Sequence, residues 1–174
     1  MLSILLVKVV YRKDISYHDG YNEVKYSATG ATEQYYYDDN NLVYKKVDAM
    51  GGETWYGYNS WHERTLVGTP EGKVVGYDYD DRGNLIRLTA ADGAETIYEY
   101  DDHNRLIART DAAGNREEWV YDKETALLLK YKEADGTVVT YTYEKDKQQP
   151  SAIEYGEELR AVLQYDTLGL ISNI

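Results

Sequence analysis

The sequence predicts an all-β fold: consecutive antiparallel β-hairpins of about 21 residues, stacked into a curved or spiralling sheet. Three observations carry this expectation. The 174 residues include 20 Tyr and no Phe, and 14 Gly against 2 Pro; tyrosine favours strands, and glycine supplies the positive φ that tight turns need. A Tyr-x-Tyr-Asp pattern recurs in register, its second aromatic falling at Tyr37, Tyr58, Tyr79, Tyr100, Tyr121 and Tyr143 with steps of 21, 21, 21, 21 and 22. Glycines keep the same beat at Gly30, Gly52, Gly72, Gly93, Gly114, Gly136 and Gly156, and apolar residues follow the acidic position at Leu42, Leu85, Leu106, Leu127 and Ile171.

Each unit reads as two strands and two turns. Between Gly72 and Gly93, Val75, Tyr77 and Tyr79 alternate with Gly76 and Asp78, the period of a half-buried strand. Residues 80–84, Asp-Asp-Arg-Gly-Asn, supply a turn in which Gly83 takes positive φ. Residues 85–89 return, and Ala-Asp-Gly at 91–93 leads into the next unit. Stacking such units puts Tyr37, Tyr58, Tyr79, Tyr100, Tyr121 and Tyr143 in one column and Tyr35, Tyr56, Tyr77, Tyr98, Trp119 and Tyr141 in a neighbouring one on the same face. The ladder reads as structural core, each hydroxyl reaching a partner or water, and less readily as a sugar-stacking platform. The acidic member, as at Asp80, Asp101 and Asp122, reads as turn chemistry.

One domain spans 1–174, with a degenerate cap or first repeat at 1–29, regular repeats at 30–156 and a degenerate last repeat at 157–174. The apolar run 2–11 is expected to be a strand: it is far shorter than the ~20 residues of a spanning helix and lacks the layout of a signal peptide. The segment 145–151, with Pro150, lengthens one turn into a protruding loop. Trp61, in an irregular turn, is either tucked over the sheet edge or an exposed contact residue.

Chemistry is sparse. The chain has no cysteine, which removes disulfides and thiol nucleophiles. A net charge of −12 with pI about 4.6 argues against nucleic acid as a partner, and no membrane insertion is expected. His18, His62 and His103 are expected in equivalent turns, roughly 20 Å apart, too far to share a metal. Carboxylate pairs such as Asp80-Asp81 recur once per repeat, as turns do and catalytic dyads do not. The loop at Asp78 resembles the start of an EF-hand, but Arg82 occupies a ligand position and Thr89 stands where the bidentate Glu belongs. No enzyme activity, catalytic residue, cofactor or metal is expected.

The signature, with its Gly-Asn-Leu or Asn-Arg-Leu return and a glycine about thirteen residues beyond, resembles the YD repeat of Rhs proteins, also found in the C-components of Tc toxins, wall-associated proteins and teneurins. The likeness is closest over 77–93 and 98–114. It implies a long β-sheet spiralling into a hollow shell around a toxin domain, and a bacterial secreted or surface setting. Family shells usually end in an Asp-Pro-x-Gly-Leu-like segment with self-cleaving aspartates. Here residues 165–174 keep a Gly-Leu without Asp-Pro, so no protease residue carries over.

Size limits the shell reading. About 16 strands at ~4.8 Å give a sheet roughly 75 Å wide, which would close into a cylinder about 25 Å across. A domain of about 100 residues, with a radius of gyration near 13 Å, does not fit inside. The chain then reads as a segment of a longer wall, a small closed β structure, or one subunit of an assembly. A non-enzymatic structural module is the leading reading. The alternatives are a carbohydrate- or protein-binding surface of a wall-associated protein, and an acidic partner that neutralises a basic toxin. The expected partners are neighbouring repeats or a second chain at the strand edges, with a toxin domain or a glycan beyond them. Two edges, at 3–11 and 161–165, carry little charge and are expected to pair or be capped.

Overall fold

A computed structural model describes residues 12–157 and 159–173. The strand expected at 2–11, including the edge at 3–11, lies outside the described residues. Within them the chain forms seventeen strands and no helix, so none is long and apolar enough to cross a membrane. Two compact units divide the chain: residues 1–77 with 90–93, and residues 78–89 with 94–174.

The first unit holds β1 (Lys13–His18), β2 (Tyr21–Tyr26), β3 (Thr32–Tyr37), β4 (Val43–Val47), β5 (Glu53–Tyr58), β6 (Arg64–Gly68) and the start of β7 (Val74–Tyr79). The second holds the end of β7, then β8 (Leu85–Thr89), β9 (Glu95–Tyr100), β10 (Leu106–Thr110), β11 (Arg116–Tyr121), β12 (Leu128–Lys132), β13 (Val138–Tyr143), β14 (Pro150–Tyr155), β15 (Leu159–Val162), β16 (Gln164–Tyr165) and β17 (Ile171–Asn173). Strands follow one another in hydrogen-bonded chain order from β1 to β15, with β16 and β17 as a separate ribbon. Among the described residues β1 and β15 stand at the two ends of that order, so the described sheet is open. The strand expected at 161–165 begins earlier, at Leu159, and is interrupted at Leu163, whose N–H still donates to Ser151 O at 2.9 Å.

The turns explain the repeat length. In most, residue i donates its N–H to the carbonyl of i+4, and i+3 donates back to i: Asp48 N to Gly52 O and Gly51 N to Asp48 O are 2.9 and 3.0 Å, and Asp80 N to Asn84 O and Gly83 N to Asp80 O match them at 2.9 and 3.0 Å. This is the three-residue hairpin loop whose last residue is left-handed. Between 30 and 156, left-handed residues fall at 30, 41, 51, 62, 72, 83, 93, 104, 114, 126, 136, 146 and 156, a beat of ten to twelve residues and thus half the sequence period. The turn at 122–127 is one residue longer, with Asp122 N bonded to Leu127 O, and the single 22-residue step follows.

Two details differ from the sequence reading. Of the two adjacent glycines after Asp48, the left-handed one is Gly51, not Gly52. Gly52 is required for another reason: a Cβ there would lie 2.7 Å from the Asp48 carboxylate and 3.1 Å from Pro70. His18 is not in a turn equivalent to those of His62 and His103. It ends β1 opposite Tyr21 and stacks on it at 4.5 Å, because Asp19-Gly20 closes this hairpin with only two residues.

Ala126 holds φ of 61° in the longer turn, where a Cβ crowds the backbone at a cost of about 1–2 kcal/mol. Ala126→Gly is therefore expected to stabilise the chain by about 0.5–1 kcal/mol, after the glycine's larger unfolded-state entropy is set against that strain. Urea denaturation measures it; a destabilised variant contradicts the argument.

A β-bulge recurs in the return strands. Tyr36 pairs with Lys45 but Tyr37 with Val43; Val120 pairs with Lys130 but Tyr121 with Leu128; Thr142 pairs with Ala152 but Tyr143 with Pro150. The extra residue bends and twists the strand pair. Burial is thin: Ala108, Val139 and Ala152 are the buried apolar residues among those described. The ladder rings, expected to form a core, are half-buried instead.

Candidate functional site: a repeated tyrosine and aspartate clamp

The Tyr-x-Tyr-Asp signature builds a clamp with two parts. In the first, the second tyrosine of a leading strand donates its hydroxyl to the carbonyl of the first residue of the preceding return strand, fifteen residues earlier. Tyr58 reaches Val43 O at 2.8 Å, Tyr100 reaches Leu85 O at 3.0 Å, Tyr143 reaches Leu128 O at 2.9 Å and Tyr165 reaches Pro150 O at 2.8 Å. At Val43, Leu128 and Pro150 the acceptor sits beside a bulge, where the ladder is interrupted. Phenylalanine would cover the same area and leave that carbonyl bare, which accounts for tyrosine at these four positions. Burial comes first among the causes that raise the hydroxyl pKa values of Tyr100, Tyr121 and Tyr143.

In the second part, the acidic residue caps its own turn. Asp80 Oδ1 accepts the N–H groups of Arg82 and Asn84, both at 2.9 Å; Asp101 Oδ1 accepts those of His103 and Arg105 at 2.8 and 3.0 Å; Asn59 does the same for Trp61 and Glu63 at 3.0 and 2.9 Å. In the longer turn Asp122 Oδ1 accepts from Glu124 and Thr125 at 3.0 and 2.7 Å. Hydrogen bonding from the Arg105 side chain is the first cause that holds the Asp101 carboxyl down at about 2. Adjacent turns are joined as well: Arg82 Nη1 donates to Asp101 O, Asn84 Nδ2 to Asn104 Oδ1, and Arg105 Nη1 to Asp122 O.

Asp101→Ala is expected to lower Tm, and Asp101→Asn to lower it less, since an amide oxygen can still cap as Asn59 does. Thermal melts at pH 7 compare them; an equal loss in both places the weight on the Arg105 ion pair instead.

The remaining signature residues fall around the clamp. Trp119 stacks on Tyr131 at 5.3 Å and shares an in-register row with Val139 and Tyr155. The Arg105 guanidinium lies 4.8 Å over the Tyr121 ring. Tyr98 faces Arg109, and Tyr141 faces Ile153, across strand pairs; Tyr37, Tyr77 and Tyr79 are half-buried. Trp61 is 80% exposed, which corrects the tucked arrangement: its turn is capped by Asn59 and aims the ring outward.

Two groupings in the first unit went unread in the sequence. Glu33 accepts the hydroxyls of Tyr26 and Tyr35, each at 2.7 Å, and pairs with Lys46 Nζ at 2.7 Å, the Lys46 hydrogen bond being the first cause that holds Glu33 down at about 2. On the opposite face His18, Tyr21, Tyr36, Lys45 and Trp55 form one row across β1 to β5, with Lys45 Nζ 4.2 Å from the Tyr36 ring and 5.1 Å from Trp55. The signal for it was Tyr36 itself, an aromatic at the middle position where other repeats carry Gly57, Asp78, Glu99, Val120 or Thr142. Among the described residues no three His, Asp or Glu side chains are grouped to hold a metal ion.

The class of protein is therefore a hairpin-repeat sheet whose recurring residues tie each hairpin to its neighbour. The RHS Repeat family model matches residues 79–116. The fold is that of "TcdB2-TccC3 without hypervariable C-terminal region", with TM-score 0.75 and 12% identity over 92% of this chain and 10% of that one. The Tc holotoxin pore of Photorhabdus luminescens, carrying a TccC3 mutation, matches at 18% identity and TM-score 0.39 over 77% of this chain and 9% of that one. The chain spans about a tenth of the length of these solved chains. No curated protein matches it. Residues 79–116 thus match RHS repeats, and the chain as a whole shares the fold of the TcdB2-TccC3 structure.

Proposed function

We propose that this chain serves as a length of β-wall, 1–174 acting as one repeat domain, in a shell that encloses a toxin or another cargo polypeptide. The observation that supports this best is the clamp: the recurring tyrosine hydroxyl ties one hairpin to the one before it, and the recurring acidic residue shapes the turn beside it. The open strand order favours a piece of a larger wall over a small closed barrel. The stacked rings argue against a glycan platform, because Trp119 and Tyr131, like Tyr21 and Tyr36, turn their faces to each other and not to solvent. Trp61, exposed at a turn, favours a second reading as a contact point for a protein partner.

Protease protection tests the wall. Recovered from its native source, the chain is expected in a particle larger than itself whose cargo resists protease until the wall is unfolded. Recovery as a lone species that protects nothing would overturn the reading.

A further inference from the structure

Side chains stitch successive turns of the second unit together, and the stitching stops at one place. Arg82 and Asn84 cross from their turn to Asp101 O and Asn104 Oδ1, and Arg105 crosses to Asp122 O. Asn84 and Arg105 each also supply the carbonyl that closes their own turn, on Asp80 N and Asp101 N. In the longer turn at 122–127 that place belongs to Leu127, which closes on Asp122 N and has no polar side chain to send across. Among the described residues no hydrogen bond crosses from this turn to the next one, at 144–149. A cleft of about 660 Å³ lies between the two, within the size range of small-molecule sites. Its far wall is braced from behind, where Gln149 Nε2 donates to Gly169 O at 2.9 Å.

The lining mixes donors with acceptors. Lys145 and Lys147 stand with Asp122, Glu144 and Asp146, while Thr125 and Gln148 both donate and accept. Among the described residues Glu144, Lys145, Asp146 and Lys147 make no ion pair, and the Gln148 side chain makes no hydrogen bond. Leu127, Leu129 and Tyr141 add apolar surface. An ion of either sign would face like charges here as well as opposite ones. A sugar hydroxyl donates and accepts at once, and the C–H face of a pyranose ring suits an apolar floor. We propose that this cleft binds a short neutral saccharide of about two hexose rings, whose hydroxyls join the two turns that no protein side chain joins. The inference goes beyond the wall reading and does not depend on it, since both walls of the cleft belong to one chain.

The test titrates the full chain with maltose, cellobiose and chitobiose while backbone amide resonances are followed. At least one of the three is expected to shift residues of 122–127 and 141–148 saturably, with little effect of added salt. Gln148→Ala breaks no side-chain hydrogen bond of the free protein and is expected to weaken binding about fivefold, the loss of one hydrogen bond. Leu127→Arg puts a side chain like that of Arg105 back at the crossing place and is expected to abolish binding, with a thermal melt to show that the variant is folded. Should it unfold, Gln148→Ala decides alone. No saturable shift with any of the three sugars at tens of millimolar overturns the proposal, and so does full binding by Gln148→Ala. Shifts confined to another place, such as Trp61, overturn it too. So does capture of inorganic phosphate instead, with steep salt dependence, since Lys145 and Lys147 would then make an anion site.

Discussion

Replacing Tyr100 with alanine is expected to cost about 3 kcal/mol of unfolding free energy, the low end of what truncating a large aromatic side chain does. The ring is half-buried, which removes part of the effect, but the variant also strands the Leu85 carbonyl that the hydroxyl holds at 3.0 Å. Tyr100→Phe separates the two contributions and is expected to cost about 1 kcal/mol. Tyr17→Ala, by contrast, removes a side chain that is 77% exposed and should cost under about 0.5 kcal/mol. In an array where each repeat touches only its neighbours, central positions lose contacts on both sides and the first repeat does not. Urea titrations measure all three; equal losses at Tyr17 and Tyr100 would sink the nearest-neighbour account.

Alkaline pH is expected to unfold the chain cooperatively. Burial comes first among the causes that raise Tyr35, Tyr100, Tyr121 and Tyr143, and the hydrogen bond to Glu117 comes first for Tyr131, pushed up to about 12. A raised folded pKa means that the folded state holds its proton more tightly than the unfolded chain. The stabilisation is therefore complete below the unfolded value of about 10 and is lost as pH climbs toward and through the folded values. Absorbance at 295 nm should rise in one step together with loss of the strand circular dichroism signal above pH 10. Full tyrosine ionisation near pH 10 with the strand signal intact would contradict the clamp.

The hairpins were legible because their cause is local and repeats. Alternation at Val75, Tyr77 and Tyr79 and the turn at 80–84 each depend on a few adjacent residues, and both stand in the structure as read. The role of the tyrosine hydroxyl was legible only as a need for some partner. Its acceptor depends on a bulge in the preceding strand, and a bulge is set by pairing register, which no single strand encodes. Gly52 misled for a related reason: two adjacent glycines offered two candidates for one left-handed position, and only the close approach of Asp48 and Pro70 separates them. Trp61 was undecidable because its direction follows from how Asn59 folds the turn beneath it.

The fifteen-residue reach of the hydroxyl also makes the chain nearly degenerate under translation. A leading strand slipped by one whole repeat would find an equivalent carbonyl, an equivalent apolar residue and an equivalent cap, so the bonds themselves scarcely distinguish correct threading from its neighbour. What does distinguish it is irregularity. The extra residue in the turn at 122–127, the proline that opens β14 and the two-residue turn at Asp19-Gly20 each fit one place alone. These departures act as indexing marks, and a sequence idealised to identical repeats would keep the strands and lose the means of counting them.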